Sequence, residues 1–456
     1  MSIAITNPYN GKKIKSYKEM DSKSIREAID LAHDLHLVWK ENHIAYRGNL
    51  MLKVGKILLE NKEKYAKTMT TEMGKPLSEA ISEVEKCAWV CRYYAESARG
   101  FLKRKTIRTE AHKSFVSYEP LGVVLAVMPW NYPFWQVFRF AVPTLMAGNA
   151  GLLKHASNVP GSALAIQEIF EEAGLPAGLF KTLLVSSKAI KNIIKNPKVQ
   201  AVTLTGSGSA GSAVASTAGK HIKKSVLELG GSDAYVILED ADLDEAAKAC
   251  VTSRMINSGQ SCIGAKRFIV VEEIYDTFLK KFKALMKAKK MGDPMKKTTD
   301  IGPMARFDLR DELHEQVQKS IQKGAKAIMG GKIPGNRKGA FYPATILVNV
   351  KKGMPAYDDE LFGPVASIIK VKDQDEAIAV ANDNKFGLGA AVFTRDIKNG
   401  EYIATRKLEA GACFVNTYVR SDPRLPFGGI KESGYGRELS KDGILEFVNT
   451  KTVYIK

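Results

Sequence analysis

Apolar residues recur at helical spacing through most of the first hundred positions of the chain. In residues 21–39, Ile25 and Ile29 begin a series of apolar side chains three or four positions apart, which predicts a helix with one buried face. Residues 45–70 and 77–99 repeat this pattern and are also predicted to be helical. The N-terminal part of the chain is therefore expected to consist mainly of helices.

From about residue 102 the pattern changes to short apolar runs. Residues 102–120 mix polar and β-branched side chains, which predicts a hairpin. Helical segments, one of them near 187–195, alternate with the runs that follow. Those runs predict buried strands at 122–128, 149–155, 178–185 and 201–205. Such an alternation is typical of a parallel sheet covered by helices.

A second alternating region begins near residues 225–231. Its predicted strands and helices lie at 234–239, 242–257, 266–273, 274–290 and 305–323. The segment 443–456 ends in alternating polar and apolar residues, as an exposed edge strand does, and such a strand often pairs with another subunit. A chain of 456 residues with two alternating regions predicts an α/β protein with two or more domains.

The chain is strongly basic, with 68 lysines and arginines against 49 acidic residues and a formal net charge of +19. Such a charge indicates either an anionic partner or a lysine-rich solvated surface. The lysines are spread along the whole chain, and no basic patch is interleaved with aromatic residues, so we expect no nucleic-acid partner. The longest apolar run, near 121–128, is far shorter than a membrane span, and no membrane partner is expected either.

The five cysteines, at positions 87, 91, 250, 262 and 413, do not form the pattern of a disulfide framework. Cys87 and Cys91 lie four positions apart in a predicted helix, and we interpret them as packed core residues. The seven histidines show no metal-ligand spacing, so no metal site is expected. Because the N-terminal residues also lack a signal-peptide pattern, we expect a reducing compartment, the cytoplasm.

The glycine-rich segment GSGSAG follows one predicted strand and opens a helix. Gly206, Gly208 and Gly211 match the GxGxxG spacing that lets a backbone approach a pyrophosphate, and Glu228 follows about twenty residues later, where a ribose ligand is found in such folds. A glycine- and serine-rich helix start without a ligand has the same pattern. The segment alone leaves both interpretations open.

Two further segments carry candidate chemistry. Cys262 ends NSGQSC, a small polar turn of the kind in which reactive cysteines are found, although an exposed and idle thiol fits the segment equally well. Asn131 lies between two prolines in PWNYP, so its backbone is restricted and its amide is a candidate donor to an oxyanion. A rigid turn without a catalytic role is the alternative.

Taken together, seven segments resemble the aldehyde dehydrogenase superfamily in content, order and spacing, over essentially the whole chain. They are PWNYP (129–133), LLKHAS (152–157), TGS (205–207), LELGG (227–231), NSGQSC (257–262), DELFGP (359–364) and PFGGIKESGYGRE (426–438). The resemblance implies a Rossmann-like cofactor domain, an α/β catalytic domain and a small β oligomerisation domain made from two segments.

The resemblance also implies approximate domain boundaries and an assembly. The cofactor domain would comprise 1–101 and 121–227, the catalytic domain 228–438, and the oligomerisation domain 102–120 and 439–456. Proteins of this superfamily form dimers and tetramers through such segments. We therefore expect a homodimer or a homotetramer.

Residue by residue, the resemblance assigns three catalytic roles. Cys262 matches the nucleophile that attacks the aldehyde carbon, and its backbone N–H and the Asn131 side chain would hold the oxyanion. Glu228 matches the base that activates water to hydrolyse the thioester, so we interpret it as the base and not as a ribose ligand. A hydrolytic base favours release of a free acid over transfer of the acyl group to coenzyme A.

The cofactor implied is NAD or NADP. Relatives restricted to NAD often carry a glutamate at the position of Ser157, where it repels a 2′-phosphate, so a serine here permits NADP. The other residues that match cofactor contacts are Trp130, Lys154, Gly206, Ser207, Glu360 and Phe362.

The substrate implied is an aldehyde acid, because several segments resemble the short succinate-semialdehyde dehydrogenases. Arg139 matches an arginine that binds the substrate carboxylate in that group. A second arginine of some members is replaced by Ile256, and we expect Arg420 or Arg424 to supply the second contact. A dehydrogenase for glutarate semialdehyde or a broader range of aldehydes is the alternative. A non-catalytic protein that binds RNA or serves as a scaffold is a more remote one.

Overall fold

The computed structural model describes residues 2–456, and the first half of the chain contains most of the helices. Its elements, in chain order, are β1 (Ser2–Thr6), β2 (Lys13–Lys18), α1 (Ser22–Trp39), α2 (Ile44–Glu60), α3 (Lys62–Met73), α4 (Leu77–Phe101), β3 (Lys105–Thr106), β4 (Lys113–Pro120), β5 (Val123–Met128), α5 (Trp135–Met146), β6 (Ala150–His155), α6 (Pro160–Glu172), β7 (Phe180–Thr182), α7 (Ile190–Lys195), β8 (Val199–Thr205), α8 (Gly208–Lys220) and β9 (Lys224–Glu228).

The second half alternates more regularly. Its elements are β10 (Ala234–Ile237), α9 (Leu243–Met255), β11 (Arg267–Val271), α10 (Tyr275–Lys287), α11 (Phe307–Gln322), β12 (Lys326–Met329), β13 (Thr345–Val348), α12 (Pro355–Asp358), β14 (Val365–Val371), α13 (Gln374–Asn382), β15 (Phe386–Gly387), β16 (Gly389–Phe393), α14 (Ile397–Arg406), β17 (Ala412–Val415), β18 (Ile430–Lys431), β19 (Gly434–Tyr435), α15 (Ser440–Leu445) and β20 (Val448–Ile455).

Two mostly parallel sheets form the framework. The first has six strands in the order β19-β9-β8-β5-β6-β7, and every pair is parallel except β19 with β9. The second has seven strands in the order β12-β13-β14-β11-β10-β16-β17, of which only β12 runs antiparallel to its neighbour. Helices pack on both sheets, which confirms the predicted α/β class.

A smaller antiparallel sheet stands apart from these two. The predicted hairpin at 102–120 is present as β3 and β4, and β20 pairs with β4 from Val448↔Pro120 to Ile455↔Lys113. The strand order β20-β4-β3 leaves β20 at the edge, with most of its side chains exposed. The prediction of an exposed edge strand near the end of the chain is therefore confirmed.

Three features differ from the sequence-based predictions. Residues 45–70 form two helices and not one, because the backbone leaves the helical region at Asn61, whose side-chain amide donates to the Ile57 carbonyl. The segment 225–231 does not open the second sheet. Residues 224–228 form β9, which pairs with β8 in the first sheet. The sequence analysis also did not predict the antiparallel hairpin of β1 and β2.

The helix α4 is central to the packing of the first half. Cys87 and Cys91 are fully buried on it among apolar side chains, as predicted. Near its beginning, Glu83 forms a buried ion pair with Lys75 and accepts hydrogen bonds from the backbone N–H groups of Phe134 and Trp135, both at 2.9 Å. Glu83 therefore fixes the beginning of α5 against α4.

We expect Lys75→Met to destabilise the protein by about 3–5 kcal/mol, because the Glu83 carboxylate would remain buried without its counter-ion. The free energy of unfolding in urea measures this loss. Lys62→Met is the matched control, since Lys62 pairs with Glu85 at 2.6 Å on the surface and its loss should cost less than about 1 kcal/mol. Equal losses in the two variants would contradict the prediction.

Candidate active site

The segment that carries Cys262 follows α9 in an unusual backbone conformation. Asn257 and Ser258 have φ angles of 53° and 55°, in the left-handed region that non-glycine residues seldom adopt. Two hydrogen bonds hold them: Glu79 accepts from the Asn257 N–H at 2.6 Å, and the Ser258 hydroxyl accepts from the Gly302 N–H at 2.9 Å. The turn is therefore held in place from outside, as strained turns at functional sites are.

Cys262 itself is half-buried and lines a cavity. The Lys266 amine lies behind the turn and donates to the carbonyls of Ser261 and Cys262. Burial raises the pKa of the Cys262 thiol to about 11, although the positive charges of Arg139 and Lys266 act in the opposite direction. Because the thiolate is the reactive species, a proton acceptor near Cys262 is needed for attack at neutral pH.

Asn131 lies against the same turn. Its side-chain amide donates to the Gln260 carbonyl at 3.2 Å, and Asn257 donates through Nδ2 to the Asn131 carbonyl at 2.7 Å. An amide nitrogen carries two hydrogens, so one N–H of Asn131 is left for another acceptor. The Asn131 amide is thus fixed to the backbone two residues before the nucleophile, as an oxyanion donor requires.

Glu228 ends β9 and is 2% exposed. Within residues 2–456 neither of its carboxylate oxygens has a hydrogen-bond partner. Burial, followed by the negative charge of Glu438, raises the pKa of Glu228 well above its usual range, while Arg139 opposes the shift. A carboxylate with a raised pKa is a stronger base, which suits it to take a proton from a thiol or from water.

The sequence analysis missed Glu438, although it quoted the segment GYGRE in which the residue lies. The Glu438 carboxylate forms a buried ion pair with Nε of Arg139. Both acidic side chains, Glu228 and Glu438, thus share the charge of one arginine. This arrangement couples the candidate base to a candidate substrate residue.

The cavity beside Cys262 has a volume of about 410 Å³ and is enclosed by α4, α5, α9 and the segment 418–427. Arg139, Arg420 and Ile256 line it. Arg424 does not: its guanidinium pairs with Asp422 at 2.7 Å, and its side chain is 67% exposed. A size of this order accommodates a small aldehyde.

Of the lining arginines, Arg139 is the deeper one. It is 2% exposed, its guanidinium lies 4.7 Å from the centre of the Phe427 ring, and Nη2 donates to the Thr205 hydroxyl at 3.4 Å. Arg420 is exposed and lies against Tyr418 at the mouth of the cavity. Both arginines therefore contribute positive charge to the cavity, but at different depths.

The residues that match cofactor contacts lie at the carboxyl edge of the first sheet. Lys154 is the fifth residue of β6, and Ser157 follows this strand on the surface. Gly206 and Ser207 lie between β8 and α8, where the Ser207 hydroxyl caps the helix by accepting from the Ala210 N–H. The carboxyl edge of a parallel sheet, next to a helix N-terminus, is where dinucleotides bind in such folds.

A second group lies beside Lys266, which also donates to the Cys262 carbonyl. Trp130 and Phe362 meet edge to face with ring centres 5.7 Å apart, and Glu360 pairs with Lys266 at 3.1 Å. At Gly230 a Cβ atom would crowd the Glu360 carboxylate, so a larger residue there would require the Glu360 side chain to shift. Asn158 follows β6 at the carboxyl edge of the first sheet. Its side-chain amide is buried, and neither Oδ1 nor Nδ2 has a hydrogen-bond partner within residues 2–456. These free polar groups and cations fit a phosphate-bearing dinucleotide.

The comparison with known proteins decides the family. A model described as "Aldehyde dehydrogenase family" matches residues 1–453. The chain belongs to the aldehyde dehydrogenase family. The resemblance inferred from the seven segments is confirmed, and the parallel sheets described above are those of this family's fold.

Several relatives of this aldehyde dehydrogenase carry more specific names. A probable succinate-semialdehyde dehydrogenase (NADP(+)) of Synechocystis sp. is 49% identical over 100% of both chains. Succinate semialdehyde dehydrogenase Sad (NAD(P)+) of Escherichia coli is 45% identical over 98% of this chain and 96% of that one. The crystal structure of a succinic semialdehyde dehydrogenase from Streptococcus pyogenes in complex with NADP+ matches with a TM-score of 0.97, 38% identity and 99% coverage of both chains.

Residues 2–456 of this aldehyde dehydrogenase lack two features. No helix in this range is long and apolar enough to cross a membrane. The same residues bring together no group of three or more histidine, cysteine and acidic side chains that could hold a metal ion.

Proposed function

We propose that this aldehyde dehydrogenase oxidises succinate semialdehyde to succinate with NADP, and that Cys262 carries the acyl group. The observation that carries the proposal is the cavity beside Cys262, into which Arg139 projects a buried positive charge. A carboxylate at the far end of the aldehyde would be attracted to such a charge. The names of the relatives at 45–49% identity agree with this substrate.

The reaction follows from the groups around Cys262. The thiol would lose its proton to Glu228, and Sγ would bond to the aldehyde carbon, so that the carbonyl oxygen becomes an oxyanion held by the Asn131 amide and the Cys262 N–H. The chemistry that bound NADP would supply is acceptance of a hydride from this carbon, which would leave a thioester on Cys262. Glu228 would release the thiol proton to solvent and then take a proton from water, the water oxygen would attack the thioester carbon, and the C–S bond would break to release succinate and the Cys262 thiolate.

The groups that would hold the cofactor follow from the same geometry. Lys154 and Ser157 would bind the adenosine ribose and its phosphate, and the turn at Gly206 and Ser207 would approach the pyrophosphate. Glu360, with Trp130 and Phe362 near it, would hold the nicotinamide side. Lys154 is partly buried, which lowers its pKa and leaves its charge weakly solvated for an anion.

We expect Ser157→Glu to lower kcat/KM for NADP by about 10-fold or more while NAD is used as well or better, because a carboxylate next to a 2′-phosphate is repelled and can accept from ribose hydroxyls. Initial rates with each cofactor at saturating aldehyde give the ratio. Ser157→Gln is the neutral control and should change the ratio less. A Ser157→Glu variant that keeps the wild-type preference would show that this position does not read the phosphate.

The substrate assignment is tested with succinate semialdehyde, glutarate semialdehyde, butanal and benzaldehyde. Wild type should have its highest kcat/KM with succinate semialdehyde. Arg139→Ala should reduce the ratio of succinate semialdehyde to butanal by about 10-fold or more. Because Arg139 also neutralises Glu438, both substrates will slow and the ratio is the informative quantity.

Other outcomes of the substrate panel are equally informative. A preference for glutarate semialdehyde would replace the proposed substrate with a longer aldehyde acid. A preference for butanal or benzaldehyde, unchanged in Arg139→Ala, would contradict the aldehyde-acid proposal altogether. Salt-sensitive RNA binding without turnover of any aldehyde would favour the non-catalytic alternative.

We also infer an assembly and a location. The exposed edge of β20 and the hairpin 102–120 are suited to pair with a second copy, which supports a homodimer or a homotetramer. We further propose the division into segments 1–101 with 121–227, 228–438, and 102–120 with 439–456. Two strands cross these boundaries: β9 extends one residue past 227, and β19, from the segment 228–438, joins the first sheet. The free cysteines of residues 2–456 suit a cytoplasmic enzyme.

A further inference from the structure

Glu79 is a carboxylate of the cavity wall that the proposed reaction does not use. It lies at the beginning of α4, and its Oε2 accepts a hydrogen bond from the backbone N–H of Asn257 at 2.6 Å. Asn257 is fully buried and lies beyond Met255, the last residue of α9, so its N–H does not belong to the helix. A buried N–H needs an acceptor, and Glu79 supplies it from a distant part of the chain.

The backbone that follows α9 depends on such contacts. Asn257, Ser258 and Gly259 follow one another with φ angles of 53°, 55° and 78°. The left-handed region is unfavourable for the first two, because they carry a Cβ atom. Glu79 holds the first of these three residues, at the point where the chain leaves the helix.

The side chain of Asn257 joins this backbone to Asn131. Its Nδ2 donates to the Asn131 carbonyl at 2.7 Å and to the Gln260 carbonyl at 3.0 Å. The Asn131 side-chain amide donates to the same Gln260 carbonyl at 3.2 Å. Asn257 thus contacts both the backbone of Asn131 and the carbonyl that orients the Asn131 amide. A shift of Asn257 would move the amide that the proposed reaction places at the oxyanion.

Cys262 has a support of its own. The Lys266 amine donates to the carbonyls of Ser261 and Cys262, and these contacts do not involve Glu79 or Asn257. Loss of the Glu79 acceptor is therefore expected to disturb the oxyanion donor more than the nucleophile.

We propose that Glu79 is a positioning residue that keeps the Asn131 amide in place for the oxyanion, acting through Asn257. This inference rests on the proposed function, because it takes Asn131 as the oxyanion donor. Glu79 would act at the aldehyde carbon and not along the rest of the substrate. Its loss should therefore slow the chemistry of every aldehyde and change binding little.

The charges around Glu79 make its hydrogen bond dependent on pH. Burial raises the pKa of Glu79 to about 7, although its backbone hydrogen bond acts in the opposite direction. Lys75 and Lys289 also lower this pKa, whereas Asp300 raises it. Burial raises the pKa of the neighbouring Tyr132 well above its usual range, so that residue stays uncharged. Glu79 is thus ionised as the pH rises past 7, and an ionised acceptor binds an N–H more strongly.

The test compares Glu79→Leu, which removes the acceptor, with Glu79→Gln, which keeps an acceptor oxygen without the charge. Glu79→Leu should lower kcat by about 100-fold with succinate semialdehyde and with butanal alike, while KM stays within about 3-fold. Glu79→Gln should remain within about 10-fold of wild type, and its deficit should grow from about pH 6 to about pH 8.5. Glu85→Leu is the matched control, because Glu85 also lies on α4 but is exposed and does not line the cavity.

A double-mutant cycle tests whether Glu79 acts through Asn131. In the Asn131→Ala background, Glu79→Leu should cost less than about 3-fold, because the group that it positions is absent. A second measurement does not depend on turnover. The rate at which iodoacetamide alkylates Cys262 without cofactor should stay within about 3-fold of wild type in Glu79→Leu, which also shows that the variant is folded. Glu79→Gln at about pH 8.5 replaces Glu79→Leu in the cycle if that variant is not.

The outcomes separate the two proposals. If Asn131→Ala slows turnover and Glu79→Leu does not, the inference is wrong while the proposed function stands. Equal losses from Glu79→Leu in both backgrounds would also overturn the inference alone. If Asn131→Ala keeps full turnover, or wild type oxidises no aldehyde, the proposed function fails and the inference with it. A loss that disappears in the Asn131→Ala background, with alkylation preserved, supports both.

Discussion

Replacing Cys262 with alanine should lower NADPH formation by about 10⁴-fold or more with every aldehyde, because the other four cysteines do not line the cavity beside it. Cys262 is the cysteine that lies beside the main cavity, at the end of the turn held by Glu79 and Gly302. Steady-state NADPH absorbance measures the loss. Mass spectrometry of acid-quenched wild type should detect a single acyl adduct on the peptide that contains Cys262.

Cys413→Ala is the matched control for this variant. Cys413 is also half-buried and free, but it does not line the cavity, so its loss should leave turnover within about 2-fold. Because burial raises the pKa of Cys262 to about 11, its alkylation in the protein without cofactor should accelerate as the pH rises from 7 to 10. Substantial turnover in Cys262→Ala would refute covalent catalysis.

Glu228→Gln should slow steady-state turnover by about 10²–10⁴-fold, because a glutamine cannot take the proton from water. Glutamine keeps the size of the side chain, so the surrounding packing is preserved. If the thiol can still reach its thiolate form at pH 9, this variant should produce one equivalent of NADPH per site in a burst and then stop. Rapid mixing with excess succinate semialdehyde measures the burst.

The pH dependence of the same step has a definite sign. The pKa of Glu228 is raised by burial and by Glu438, so the base is protonated at low pH and becomes active as the pH rises. The kcat of wild type should therefore increase with pH through a range above that of an ordinary carboxylic acid. Glu85→Gln, a change in an exposed pair on α4, should keep both the rate and the profile. A burst followed by full turnover in Glu228→Gln would exclude Glu228 as the base.

Much of this site was predictable because its residues lie in short segments with characteristic local sequences. Cys262 ends a turn that contains a glycine, and Asn131 lies in a turn between two prolines, so both turns can be recognised from the sequence. The sequence analysis offered Arg424 as a residue of the substrate cavity, because its loop belongs to a recognisable motif. The motif does not determine where the Arg424 side chain points, and the side chain pairs with Asp422, two residues away. The local sequence does not show whether the Arg424 side chain points into the cavity or pairs with Asp422.

The contacts that the sequence did not reveal join distant parts of the chain. Lys86 meets Ser421 across 335 positions, and Arg139 meets Glu438 through the packing of α5 on the segment after β19. The same limit applies to the fold: the sequence indicated that a second alternating region begins near residues 225–231, but the pairing of β9 with β8 shows that residues 224–228 belong to the first sheet. Periodicity gives an element's type, whereas partner choice depends on the whole packing.

The long separation between paired segments has a consequence for synthesis on the ribosome. Asn149 donates to the Phe447 carbonyl across 298 positions, and β4 pairs with β20 over a similar distance. At about 5–20 residues per second, about 15–60 s pass between the emergence of these partners. During that interval β4 has an unpaired edge, and Glu228 lacks Glu438. The nascent enzyme is therefore inactive. A chaperone that covers β4 during this interval would protect the chain from aggregation.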